Sequence, residues 1–131
     1  MNFDRKYLVS ALVFLVAGLG VGIYMAATDN HGELVAHAHI LLIGFVVSFI
    51  YGIIHKLWLT QPNPLVAKIQ FILHLAAAVV LSIGLTLLYG GLAPPEKLVP
   101  ALTGGSLAVL IGALLMLYMV LTTRTVRTVR T

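Results

Sequence analysis

Leu34–Leu59 reads LVAHAHILLIGFVVSFIYGIIHKLWL, an apolar run with no acidic residue and a single lysine close to its end. A helix needs ~20 such residues to cross a ~30 Å hydrocarbon core. Three more runs of similar character lie at about 7–27, 65–89 and 98–122. Irregular backbone is not tolerated against lipid, so each run is read as a helix. Of the 131 residues, 60% are apolar and 9% are charged, too few charges to clothe a soluble domain of this size. The expectation is an all-α membrane protein: one domain, residues 1–131, built as a four-helix up-down-up-down bundle. The first run is too long for the apolar core of a secretory signal, and no A-x-A site follows it, so it is read as a retained helix.

Charge distribution gives the orientation. Arg5, Lys6, Lys56, Lys68, Arg124, Arg127 and Arg130 fall on one side of such a bundle, and only Lys97 falls on the other. The positive-inside rule places both termini in the cytoplasm and the segments Thr28–Glu33 and Gly90–Lys97 outside. This is the expectation for a multi-pass protein of the inner (cytoplasmic) membrane. The basic tail Arg124–Thr131 reads as a topology determinant touching anionic lipid, not as a nucleic-acid site. Pro62, Pro64, Pro94 and Pro95 stand where helices should stop, and the short links force neighbours to run antiparallel. Small residues recur every four positions: Gly18, Gly22 and Ala26; Gly44, Ser48 and Gly52; Gly104, Ala108 and Gly112. Such rows suit close helix packing within the chain or between subunits.

The chemistry sits in the histidines. Cysteine is absent, which excludes disulfides, thiolate metal sites and covalent haem attachment. His31 falls in an outside loop and His55 near the inner interface beside Lys56; both read as interfacial residues. His37 and His39 lie about one turn inside the second helix, where an ionisable group is costly and therefore a functional candidate. Imidazole is the usual nitrogen ligand of haem iron, zinc or copper. Two positions apart on an α-helix is ~200° around the axis, so the pair leaves the helix on nearly opposite flanks. One helix cannot clamp one iron with both. Each serves a separate centre, or pairs with a histidine of another chain. Below His37 the row of Gly44 and Ser48 reads as a shallow groove for a porphyrin or a neighbouring helix. Val46 and Ile50 below His39 read as an apolar wall. His74 falls ~15 Å deeper than His39 and cannot share its iron within the chain. Gln70, His74, Ser82 and Thr86 form a polar stripe suited to proton conduction, buried water or packing hydrogen bonds.

These residues resemble a known family. VAHAHILLIGFVVSFIY (35–51) is similar to the haem-bearing helix of heme-copper oxidase catalytic subunits, above all the C-type pattern H-x-H-x-x-x-x-G-[FW]. AKIQFILHLAAAVVLSIG (67–84) looks like the helix that follows. The resemblance covers about 55 residues. In that family the first histidine of the pair ligates the high-spin haem and the second the low-spin haem. The catalytic subunit has twelve helices in three arcs of four, so the resemblance implies one arc and a homo-oligomer, a trimer, that imitates the whole. His37 of one chain and His39 of its neighbour would then clamp a non-covalent b-type haem, with Gly44 beneath it, and Lys97 would face the propionates. The family's adjacent His-His pair is missing, so copper lacks a full ligand set, and a bis-histidine iron has no open position for oxygen. The expectation is electron transfer through a membrane haem b, its redox partner not legible. A gas-binding haem enzyme or sensor, and a haem or copper carrier or assembly factor, stay open as alternatives.

Overall fold

The computed structural model describes residues 1–123 of the chain; the basic tail Arg124–Thr131, read above as a topology determinant, lies outside them. Four long helices are present. Helix α1 is Phe3–Thr28, α2 is Leu34–Leu57, α3 is Pro64–Tyr89 and α4 is Pro95–Thr122. At 24 to 28 residues each spans ~36–42 Å, enough for the hydrocarbon core with some tilt. The expected all-α membrane bundle is therefore observed.

The ends differ from the sequence reading for local reasons. α1 starts four residues early, so Arg5 and Lys6 belong to its first turns. It stops at Asp29, whose left-handed backbone (φ 52°) forms the terminal turn. Pro64 and Pro95 open α3 and α4 instead of closing the helices before them, since a first-turn N–H needs no partner. Asn63 caps α3 by accepting from the N–H groups of Leu65 (3.0 Å) and Val66 (3.3 Å). Lys97, expected in a loop, is an exposed residue of the first turn of α4.

α2 is not uniform. Between α-helical ends at Leu34–His39 and Ser48–Leu57, the stretch Ile40–Val47 is wound as a π-helix. On an α-helix a four-residue step overshoots a full turn by ~40°. The wider π turn undershoots, and the mixture holds a four-residue row straight. Ala36, Ile40, Gly44 and Ser48 are accordingly all buried, while Leu34, Ala38, Leu42 and Val46 are all exposed. His37 and His39 stand on the two flanks between these rows.

Helices pair in chain order, α1 with α2, α2 with α3 and α3 with α4, and α1 also touches α3. Small residues allow the approach. A side chain on Gly18 would run into Leu41, and one on Gly44 would run into the ring of Phe14. Gly52 lies against Tyr7 and the backbone of Asp4, and Gly105 against Leu81. Gly104, by contrast, faces open space. Large apolar side chains such as Val16, Ile23 and Leu121 are 70–75% exposed. Surfaces of that kind belong against lipid or another subunit.

Candidate functional site

The two histidines singled out from the sequence occupy opposite flanks of α2, as the 200° argument requires, and each meets a different neighbour. His37 turns toward α1. Its Nδ1 donates to the carbonyl of Gly18 at 2.8 Å. The ring can lie there because Gly22 has no side chain; a Cβ at Gly22 would stand 3.0 Å from His37 Cε1. His39 turns toward α3 and α4. Its Nδ1 donates to the carbonyl of Val35, one turn back, also at 2.8 Å.

A carbonyl oxygen can only accept, so each Nδ1 carries a proton, and in the neutral ring the lone pair is the one on Nε2. Neither Nε2 has a hydrogen-bond partner among the described residues. Pinning one ring nitrogen on a carbonyl is what orients a ligating histidine and sets its tautomer. Both rings are half-buried, not sealed in the core. They differ by ~3 Å in height along the helix.

His39 lines a groove with Ile43, Leu81, Leu85, Leu102 and Ser106. At about 210 Å³ it is below the ~300–1,000 Å³ typical of a small-molecule pocket. The His39 groove is by itself too small to enclose a macrocycle. The groove expected below His37 is also absent within one chain. Gly44 is buried under Phe14 and Ser48 is wholly buried against α3, so α1 and α3 fill the space that the row of small residues suggested for a porphyrin. No group of three or more His, Cys, Asp or Glu residues placed to hold a metal occurs among the described residues.

The other histidines separate into distinct roles. His31 is exposed in the loop between α1 and α2. His55 is only 7% exposed, more buried than an interfacial residue should be, because Phe3 and Tyr7 stack on it at 5.5 and 5.6 Å between ring centroids. The polar stripe of α3 divides. Ser82 and Thr86 donate to carbonyls one turn back in their own helix, Ala78 at 2.6 Å and Ser82 at 2.7 Å. Gln70 and His74 instead tie the bundle together. Tyr7 donates to Gln70 Oε1, Gln70 Nε2 donates to the Gly112 carbonyl at 3.2 Å, and Ser48 Oγ shares a 2.9 Å hydrogen bond with His74 Nε2. Tyr7, Ser48, Gln70 and His74 are 1% exposed or less, so the network links all four helices out of reach of lipid. His74 thus spends its Nε2 on Ser48, whereas His37 and His39 keep theirs. Sequence reasoning missed Tyr7 and Phe14 in these roles, because an aromatic on a membrane helix reads equally well as lipid-facing.

In comparisons with protein-family models, curated proteins and solved structures, nothing matches this chain.

Proposed function

We propose that the chain is a haem b protein of the inner membrane, passing electrons through a bis-histidine haem held between subunits of a homo-oligomer, with a trimer favoured. His37 of one copy and His39 of the next are the axial ligands. The observation that carries this reading is the matched state of the two imidazoles: opposite flanks, nearly equal height, Nδ1 tied to a carbonyl and Nε2 free on both. Resemblance of residues 35–51 to the haem-bearing helix of heme-copper oxidases supports the same assignment. Bound there, with His37 and His39 holding it, a haem would supply a one-electron couple. The chain's part is to orient two rings and to keep water away with apolar neighbours. The basic residues of the described helix ends, Arg5, Lys6, Lys56 and Lys68 against Lys97, support placing both termini in the cytoplasm.

The decisive experiment is an optical spectrum of protein purified from cells supplied with haem, oxidised and reduced, with a pyridine haemochrome assay and a mass for the assembly. Sharp low-spin α and β bands from a haem b in an oligomer are expected, unchanged by carbon monoxide. A colourless protein would defeat the reading, as would a monomer with six-coordinate haem. A Soret band that carbon monoxide shifts would transfer the assignment to the gas-binding alternative. Haem that washes off during purification would transfer it to the carrier.

The contact between Gly22 and His37 gives a second test. Gly22→Leu should push the ring off α1 and break its bond to the Gly18 carbonyl. Loss of an orienting partner typically costs 10–100-fold in affinity. Haem retention should fall by about that factor while far-ultraviolet circular dichroism stays helical; full retention would show that the ring's seat on α1 is irrelevant.

A further inference from the structure

At the end of the bundle that carries the N-terminus, α1 and α2 part to leave a groove of about 380 Å³. Its walls are the hydrocarbon side chains of Leu8, Phe49 and Ile53, each 37–40% exposed, with Gly52 between them. The rim is charged: Arg5, Lys56 and Asp4. Lys56 Nζ stands 3.8 Å from Asp4 Oδ2 with the lysine side chain 73% exposed, a loose pair of the kind that contributes little in solvent. Arg5 makes no ion pair among the described residues. Lys6, its neighbour, turns away and lies over the Phe3 ring at 4.7 Å. Two cations against one carboxylate leave the rim with a net positive charge directly above an apolar slot.

We propose that this groove binds one anionic phospholipid from the leaflet facing the chain termini. Its phosphate sits at Arg5 and Lys56, and an acyl chain lies along Leu8, Phe49 and Ile53. Both halves of the site argue for this occupant. A free anion has no use for the hydrocarbon walls, and a neutral apolar molecule has none for the cations. The groove beside His39 and the one along Val99, Leu102 and Leu107 have no lysine or arginine in their linings, so neither offers a fixed cation to an anionic headgroup. Basic pockets between membrane helices at the positively charged side are a recurrent seat for anionic headgroups. The proposal stands apart from the haem reading, since no residue of the groove touches His37 or His39.

The test is native mass spectrometry of the full chain, delipidated and then titrated with phosphatidylglycerol or with phosphatidylcholine of the same acyl chains. One phosphatidylglycerol per chain should be retained, about tenfold or more in preference to phosphatidylcholine, as two basic residues at an anionic headgroup allow. Arg5→Gln with Lys56→Gln should erase the preference, and Ile53→Trp should lower the binding of both lipids by crowding the slot. Lys68→Gln, which removes a charge outside the groove, should leave the preference intact. Equal binding of the two lipids, or a preference that survives the double substitution, would overturn the proposal. So would an equal loss in Lys68→Gln, which would mark a diffuse charge effect, or glycerol phosphate alone binding as well as the lipid.

Discussion

His37→Ala and His39→Ala are each expected to abolish the low-spin haem spectrum, with no residual six-coordinate species. An iron held by two imidazoles loses half its protein ligands when either is removed, and each interface needs one of each kind. The two defects should nevertheless complement. In a ring with one type of interface, an interface works when it joins an intact His37 from one copy to an intact His39 from the next. In a trimer that contains both variants, whichever is in the majority, that combination returns at about one interface in three. Co-expression with two affinity tags, isolation of mixed assemblies and a haemochrome assay would measure it. Recovery near that fraction supports sharing between copies. Colour in only one of the single variants, or none in the mixed assemblies, would mean that the two imidazoles do not grip a common iron.

The second large effect is expected at Gly44. A side chain there enters the ring of Phe14, with Phe14 Cβ only 2.8 Å from the added Cβ. Phe14 is itself part of a buried cluster with Ile40 and Ala78, so its ring has nowhere to retreat. Inserting methylenes into a packed interior costs ~1–3 kcal/mol, and Gly44→Leu inserts a whole branched side chain. Thermal or denaturant unfolding in detergent should reveal a loss at or above the top of that range. Phe14→Ala alone should also destabilise, by ~3–5 kcal/mol for a deleted aromatic. Combined, the two should cost clearly less than their sum, because one substitution makes the space that the other fills. Strict additivity, or a Gly44→Leu protein of unchanged stability that loses only haem, would return Gly44 to the open cofactor groove that its sequence context suggested.

These outcomes bear on how far the chain can be read unaided. Four spans were legible because their apolar runs are interrupted by Asp29, Asn63, Pro64, Pro94 and Pro95, and hydropathy responds strongly to such breaks. The opposed flanks of His37 and His39 were legible too, since that segment is regular α-helix and spacing alone sets the angle. The π-wound stretch Ile40–Val47 was not. Its residues are ordinary apolar ones, and the row Ala36, Ile40, Gly44 and Ser48 betrays it only once burial is known. The tie from Tyr7 through Gln70 to Gly112 was likewise invisible, because it joins residues 63 and then 42 positions apart.

Sequence by itself determined the number of membrane helices, their alternating direction and the divergence of the two imidazoles from one coil. Tertiary structure alone decided what meets each flank: the Gly18 carbonyl under His37, a groove of α3 and α4 beside His39, and Phe14 over Gly44. The reason is the solvent. Lipid tails are as apolar as the side chains themselves, so a membrane helix can be hydrophobic all round and its composition does not mark which face packs. That choice is left to small residues, close fit and a few buried hydrogen bonds, and these exist only between helices already brought together.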